Sequence, residues 1–255
     1  MNAALIECKD VTIELGGEVI LKDVNLSIYQ GETVVLIGTS GGGKSVLLKT
    51  LAGLINPVQG YVTCWGKKWT ELSVIGKHDL YSHVGMQFQK SALFDELSVI
   101  ENVAYPLREH TRMSEDEIQA RALECLKQVS LEKARNMETY DLSGGMKIRL
   151  GVARSIALKP EILFLDDPTA GLDPVNSDEM AELLLNIKKN INSTMIIVTH
   201  DISRAYQLAG RIFLIGNRMV KETGSAQQTR DSKDPSVQQF IHGWLKGPLT
   251  DGNQN

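Results

Sequence analysis

The stretch Gly38-Thr39-Ser40-Gly41-Gly42-Gly43-Lys44-Ser45 decides the fold of this chain. It matches the pattern G-x-x-x-x-G-K-[ST], whose glycines let the backbone turn tightly and point successive N–H groups at phosphate oxygens. An apolar run over residues 33–37 predicts a buried strand before it, and residues 44–52 have a helical pattern after it. Because a helix N-terminus adds a partial positive charge, this unit predicts a nucleotide-phosphate site rather than a glycine-rich turn with a solvated lysine.

The residue types of this loop suit phosphate chemistry. Lys44 can reach the β- and γ-phosphates of a nucleotide, and the Ser45 hydroxyl can ligate Mg²⁺. We predict that the nucleotide contacts come from the loop and the start of the following helix, namely Gly38, Thr39, Ser40, Gly41, Gly42, Gly43, Lys44, Ser45 and Val46.

A second motif supports the first. The run Ile162-Leu163-Phe164-Leu165-Asp166 predicts a buried strand that ends in a carboxylate. Ligands of open α/β sheets bind at the carboxyl ends of strands, so we expect Asp166 to hold Mg²⁺ through water. An apolar run ending in Asp is weak by itself, but together with the upstream loop it indicates a nucleotide-binding core.

Composition limits the function classes. The chain has 255 residues and a formal net charge of −4, which argues against a general nucleic-acid binder. Its longest apolar runs are about four residues, against the ~20 of a membrane-spanning helix. The three cysteines are far apart in sequence and suggest neither a metal site nor a disulfide framework. We expect a cytosolic chain whose membrane role, if any, depends on a partner.

Strand and helix patterns alternate along the chain and predict an α/β fold with a mostly parallel sheet. Residues 90–160 are predicted to form an inserted helical subdomain, in which Ser114 and Glu117 make a capping box. We assign residues 1–230 to one nucleotide-binding domain and 231–255 to a tail. The tail is predicted to contain a short amphipathic helix that starts at Asp234-Pro235, with an apolar face formed by Val237, Phe240, Ile241, Trp244 and Leu245.

The segment Leu142-Ser143-Gly144-Gly145-Met146 lies between the two nucleotide motifs. It resembles the LSGGQ signature of ATP-binding-cassette (ABC) ATPases, with Met146 in place of the usual Gln. A serine hydroxyl and glycine N–H groups at a helix start can form a second phosphate cradle. Taken alone, the same letters also fit an ordinary N-capped helix.

Further ABC marks follow in the family's order. Gln89 resembles the Q-loop residue that contacts Mg²⁺ and water, Asp173 resembles the D-loop aspartate, and His200 resembles the switch histidine. The resemblance implies an ABC nucleotide-binding domain with a P-loop ATPase core and an antiparallel β subdomain, using ATP and Mg²⁺. It also implies a head-to-tail dimer with a second copy, in which Ser143, Gly144 and Gly145 act in trans. The implied metal ligands are Ser45, Gln89 and Asp166, and the implied catalytic residues are Asp167, His200 and Gln89.

Two positions depart from the family pattern. Asp167 stands where the family usually has a Glu that acts as general base, and its side chain is shorter by about 1.5 Å. Either Asp167 still orients the attacking water at a reduced rate, or ATP binding and dimer closure dominate. In addition, no aromatic residue lies within residues 1–28, where the family usually stacks adenine. Two consequences are open: the site selects adenine less strongly, or an aromatic residue from another segment stacks on the base.

The chain has one cassette and no room for a long coiled coil between Lys44 and Asp166, so an integral membrane permease is the expected partner. Residues 92–110 and the tail are similar to ATPase subunits that drive phospholipid transport between the membranes of Gram-negative bacteria. This implies a peripheral location on the cytoplasmic face of the inner membrane, with a STAS-like small protein and a lipid-binding substrate protein as further partners and no nucleic acid. The first alternative is an ATPase that energises a permease for another substrate. A less favoured one is a non-transport ABC ATPase.

Overall fold

The computed structural model describes residues 3–250. Their strands are β1 (Ile6–Leu15), β2 (Glu18–Ile28), β3 (Thr33–Gly38), β4 (Gln59–Cys64), β5 (Lys67–Lys68), β6 (Val84–Gln87), β7 (Ile162–Asp166), β8 (Thr194–Val198), β9 (Arg211–Gly216) and β10 (Met219–Gly224). Their α-helices are α1 (Lys44–Leu51), α2 (Val74–Tyr81), α3 (Val99–His110), α4 (Glu115–Gln128), α5 (Gly144–Ser155), α6 (Pro174–Ile191), α7 (Ile202–Leu208), α8 (Ala226–Arg230) and α9 (Pro235–His242).

The described residues form two compact units. The first contains the residues up to Lys77 and those from Ile196 onward, and the second is His78–Met195. No helix of the described part is long and apolar enough to cross a membrane.

The first unit contains an antiparallel sheet with the strand order β2-β1-β4-β5. It also contains β10, β9, β3 and the larger part of β8, which neighbour one another in that order. Strands β3 and β9 run parallel, with Gly38 opposite Ile215. Residues 34–37 are fully buried, which explains their unbroken apolar sequence, because a strand covered on both faces has no polar side.

In the second unit, β6 and β7 pair in parallel, with Gln87 opposite Leu165. Helices α3, α4 and α5 pack against one another. Each begins at a serine N-cap, and the predicted capping box of Ser114 and Glu117 is present at α4. Helix α5 ends at Ser155.

The tail helix α9 begins at Asp234 and Pro235 as predicted, but it is shorter than the predicted apolar face. It ends at His242, and its C-cap Gly243 adopts the left-handed conformation with φ 64°. Trp244 and Leu245 therefore follow the helix and are exposed. The predicted apolar face through these two residues is wrong, because the left-handed glycine turns the chain away from the helix axis.

Gly85 in β6 provides a test of packing in the second unit. A Cβ at this position would lie 2.1 Å from the carbonyl oxygen of Ser155, although its φ is not left-handed. We expect Gly85→Ala to lower the free energy of unfolding by ~1–3 kcal/mol in urea titrations, as overpacking does. Gly76→Ala in α2 is the control, because a Cβ there meets nothing closer than 3.4 Å. Equal stabilities of the two variants would contradict the expected clash.

Candidate functional site

The phosphate-loop pattern forms a tight loop around a buried lysine. The Lys44 side chain is buried, and its Nζ donates hydrogen bonds to the carbonyl oxygens of Gly38 at 3.0 Å and Thr39 at 2.7 Å. The ammonium is thus held inside the loop that is predicted to bind phosphate.

Two glycines of the loop are required by geometry. Gly38 has φ 148°, and a Cβ there would lie 1.9 Å from the carbonyl oxygen of Ile215. Gly43 has φ 98°, and a Cβ would lie 3.0 Å from Ile20 Cγ2. Gly43 is also the N-cap of α1, and it has no side-chain oxygen to accept from the first-turn N–H groups. This helix start therefore suits an anion as the acceptor.

A cavity of about 580 Å³ lies beside residues 39–42 of the loop. Its other walls come from the start of β2, the β9–β10 turn and the tail, through Glu18, Val19, Ile20, Asn217, Arg218 and Leu249. Its volume is within the ~300–1,000 Å³ typical of small-molecule pockets. Together with the buried ammonium and the glycine-lined loop, it fits a nucleotide.

His200 follows β8 in the first unit and is exposed. The backbone N–H of Thr199 donates to the carbonyl oxygen of Leu36 in β3 at 3.1 Å. The chain therefore leaves β8 at the same edge of the sheet where the phosphate loop leaves β3. The structure brings His200 to the loop's side of the first unit.

In the second unit, Asp166 and Asp167 are buried at the carboxyl end of β7. Because Gln87 pairs with Leu165, the predicted Q-loop residue Gln89 emerges from the same edge as the two aspartates. Gln89 is exposed, whereas Gln87 is fully buried and its Oε1 has no hydrogen-bond partner among the described residues. The structure thus groups Gln89, Asp166 and Asp167 at one sheet edge.

Asp167 has an unusual backbone. Its φ is 50°, in the left-handed region, and Pro168 follows it. Aspartate tolerates this conformation better than most residues do. The N–H of Ala170 donates to the Asp167 carbonyl oxygen at 3.1 Å and closes the turn. The tight turn fixes the direction in which the carboxylate leaves the strand.

The signature residues form the start of α5. Ser143 is the N-cap, and its Oγ accepts the N–H of Met146 at 3.3 Å. A Cβ at Gly144 would meet no atom within 4 Å, while one at Gly145 would lie 3.4 Å from Leu172 Cδ2. Because Met146 contributes its backbone N–H here, the departure from the usual Gln leaves this cap intact.

Asp173 caps another helix of the second unit. Its carboxylate accepts the N–H groups of Val175 at 3.0 Å and Asn176 at 3.1 Å at the start of α6. A side-chain hydrogen bond from Asn176, together with these backbone donors, holds the pKa of Asp173 below its usual value. The position has this structural role, and its D-loop role stays a prediction.

The predicted magnesium ligands are one hydroxyl, one amide and one carboxylate. Ser45 belongs to the first unit, and Gln89 and Asp166 belong to the second. Within residues 3–250 no group of three or more His, Cys, Asp or Glu side chains could hold a metal ion by itself. Hydroxyl, amide and carboxylate oxygens suit Mg²⁺ bound with a nucleotide, which uses one or two carboxylates with phosphates and water. Because the three residues lie in different units, their joint binding of Mg²⁺ stays a prediction.

Sequence reasoning missed Arg154, which clamps the loop after Gln89. Its two Nη atoms donate to the carbonyl oxygens of Ser91 at 2.7 Å and Ala92 at 2.8 Å. Both of those residues have positive φ, 57° and 44°. Burial lowers the pKa of Arg154. The only sequence signal was an arginine directly after the apolar residues Val152 and Ala153 of α5.

Comparison with known proteins agrees with this geometry. The family model described as ABC transporter matches residues 21–170, which is more than half of the chain. The chain belongs to the ABC transporter family and is an ATPase subunit of the kind that binds ATP and ADP.

Several named proteins are similar to the chain over nearly all of its length. It is 35% identical over 98% of its residues to an intermembrane phospholipid transport system ATP-binding protein, MlaF, from Haemophilus influenzae, covering 94% of that protein. MlaF from Escherichia coli K12 is 31% identical over 97% of the chain and 92% of its own length. A probable ribonucleotide transport ATP-binding protein, mkl, from Mycobacterium leprae is 36% identical over 96% of the chain and 70% of its own length.

Solved structures confirm the predicted fold class. The cassette MJ0796, solved as a dimer with ADP and Pi, has a TM-score of 0.80 and 35% identity, covering 86% of this chain and 98% of that one. The protein cbiO1 from Clostridium perfringens, part of the transporter complex cbiONQ, has a TM-score of 0.81 and 29% identity, covering 96% of each chain.

The Arg154 clamp can be tested by hydrogen exchange. We expect Arg154→Lys to speed amide exchange over residues 88–94, because a lysine ammonium cannot donate in the fork geometry that reaches two successive carbonyls. Arg149→Lys is the matched control, since Arg149 lies on the same helix and bonds Val129 and Glu179 instead. Unchanged exchange in Arg154→Lys would show that the clamp does not hold this loop.

Proposed function

We propose that this chain is the ATPase subunit of a phospholipid transporter that works between the two membranes of a Gram-negative envelope. The observation that carries the substrate class is the 35% identity over 98% of the chain to MlaF of Haemophilus influenzae. The motif residues described above support ATP as the energy source.

The residues of the site take the following roles in this proposal. Residues 38–46 cradle the phosphates, with Lys44 neutralising their charge. Mg²⁺ held with Ser45, Asp166 and Gln89 would polarise the phosphoryl group. Asp167 orients the attacking water, and His200 contacts the γ-phosphate.

A second copy of the chain completes the site in this proposal. The nucleotide bound to one copy is contacted from the other side by Ser143, Gly144 and Gly145 of the second copy. The surface position of Gly144, with open space around its Cβ direction, and the dimeric state of the MJ0796 cassette support this arrangement.

Asp167 decides the rate of ATP hydrolysis. We expect wild-type turnover to be slow and Asp167→Asn to lose at least ~10²-fold in kcat, because misplacing or removing a catalytic group has effects of this size. Asp167→Glu is expected to raise kcat, since the longer side chain reaches the usual position of the base. Lys44→Ala serves as the inactive reference in the same steady-state assay. If the kcat of Asp167→Glu is no higher than that of the wild type, the length of this side chain does not limit hydrolysis.

The helical part of the second unit presents a surface for an integral membrane permease. Phe94 and Tyr105 are each 41% exposed, and their ring centroids lie 4.5 Å apart. They border a cavity of about 330 Å³ with Pro106 and Phe88. Aromatic residues on a partly exposed cleft are typical anchors of protein interfaces. Arg154 lies over the Phe94 ring at 5.4 Å and also clamps residues 91–92. A partner that contacts Phe94 can therefore affect the loop after Gln89 through Arg154.

Buried Asn102 gives this surface a fixed shape. Its Nδ2 donates to the carbonyl oxygens of Phe94, Leu97 and Ser98, each at 3.1 Å, and its Oδ1 accepts the Phe94 N–H at 2.9 Å. The loop that carries Phe94 is therefore held in place before a partner binds, which lowers the entropy lost on docking.

The location and further partners are proposed from the resemblance of residues 92–110 and the tail to phospholipid-transport ATPase subunits. The chain works at the cytoplasmic face of the inner membrane through its permease, with a STAS-like small protein and a lipid-binding substrate protein as additional partners. The second candidate is transport of a different substrate, because the mycobacterial mkl proteins, named for ribonucleotide transport, are 36% identical.

Affinity purification from native membranes, followed by lipid analysis, tests this proposal. We expect an integral membrane permease and enriched phospholipid to co-purify with the wild-type chain. Tyr105→Ala is expected to reduce permease recovery by about fivefold or more, as loss of an interface aromatic does. Tyr29→Ala is the control, since Tyr29 is 39% exposed and lies in the other unit.

Each alternative has its own signature in this experiment. A complex without any integral membrane protein would contradict transport. Recovery of the permease with a non-lipid ligand would favour the second candidate.

A further inference from the structure

The C-terminal tail reaches the nucleotide cavity. Residues 244–250, called the tail loop here, follow α9, and Leu249 within them is only 9% exposed. Leu249 lines the same cavity as residues 39–42 of the phosphate loop. Neither the motif pattern nor the assigned roles of the site account for this contact.

Leu249 packs against Gly216 at the end of β9, next to the phosphate loop. A Cβ at Gly216 would lie 2.6 Å from Leu249 Cδ2, so the leucine occupies the space that a side chain would take there. The preceding residue, Ile215, has its carbonyl oxygen 1.9 Å from the place of a Gly38 Cβ, where no side chain fits. The same oxygen would be in ordinary contact, at 3.4 Å, with a Cβ of Gly42. A continuous series of close contacts thus joins the tail loop to the backbone of the phosphate loop.

One buried amide determines where the tail loop lies. The Gln239 side chain is buried in α9, and its Oε1 accepts the N–H of Leu249 at 2.8 Å. Its Nε2 donates to the Trp244 carbonyl oxygen at 3.2 Å and to Thr250 Oγ1 at 3.1 Å. A Cβ at Gly247 would lie 2.6 Å from the same Oε1, so the loop wraps closely around this amide.

Helix α9 is itself fixed to the first unit. Asp234, its N-cap, forms an ion pair with Lys221 of β10, and Val237 is buried. The β9–β10 turn is fixed as well, since the Lys22 N–H donates to the Arg218 carbonyl oxygen at 2.8 Å. The hairpin and the tail loop thus both contribute walls of the cavity.

We propose that the tail loop is a positioning element of the nucleotide site, in which Leu249, held by Gln239, supports the strand end that contacts the phosphate loop. The inference rests on the proposed binding of a nucleotide at residues 38–46. Seating of the tail loop and nucleotide binding are then thermodynamically coupled, and the coupling acts equally in both directions. Detaching the tail loop weakens nucleotide binding, and a bound nucleotide keeps the tail loop seated.

Two leucines of the tail loop give a matched test. Leu249→Ala in the full chain is expected to raise the Kd for MgADP by about five- to tenfold, the low end of typical coupling between sites. Leu245→Ala is the control, because Leu245 is 92% exposed in the same loop. Equal Kd values for the two variants and the wild type would overturn the proposal.

Two neighbouring glutamines give an independent test. Gln239→Ala removes the anchoring amide, whereas Gln238→Ala on the same helix removes bonds to Ser232 and His242 only. We expect Gln239→Ala, and not Gln238→Ala, to weaken MgADP binding. In the wild type, saturating MgADP should slow exchange of the Leu249 amide, which a purely structural tail would not show. Exchange that is indifferent to MgADP would contradict the coupling.

The outcome for Lys44→Ala separates the two proposals. If Lys44→Ala leaves MgADP binding unchanged, the proposed nucleotide site itself is wrong. If Lys44→Ala abolishes binding while Leu249→Ala and Gln239→Ala bind as the wild type does, only the role of the tail loop is wrong.

Discussion

The carbonyl oxygen of Ile215 lies where any side chain at Gly38 would sit, and the path of the phosphate loop depends on this close approach. Because β3 and β9 pair in parallel up to that point, the phosphate loop leaves the sheet directly against the end of β9. Only a glycine at 38 allows the contact, and the buried ammonium of Lys44 then bonds the two carbonyls at the loop's start. The loop geometry is thus set by backbone packing before any phosphate binds.

In the second unit too, parallel strand pairing brings site residues together. Parallel pairing of β6 and β7 makes the segment of Gln89 and the segment of Asp166 and Asp167 leave the sheet together. Arg154 then joins the loop after Gln89 to the helix that begins at the signature serine. These contacts join residues that are far apart in sequence, and Phe94 under Arg154 extends the connection toward the surface proposed for the permease.

Much of the fold and site could be predicted from sequence because the motifs are local. The apolar runs of β3 and β7, the cap at Ser114 and the start of α9 depend on neighbouring residues, and the structure contains them. The apolar face through Trp244 and Leu245 was predicted wrongly, since helical spacing alone does not show that Gly243 ends the helix. Arg154 and Leu249 could not be found, because each contacts a segment that is distant in sequence.

The sequence by itself determined the family, the ATPase class and the identities of the predicted phosphate, metal and signature residues. These features are patterns of residue type at short spacing, and such patterns need no knowledge of distant contacts. Only the tertiary structure decided that Asp167 has a left-handed backbone, that Asp173 caps a helix and that Leu249 reaches the nucleotide cavity. Close contact between segments separated by many residues is a property of packing, and no local pattern encodes it.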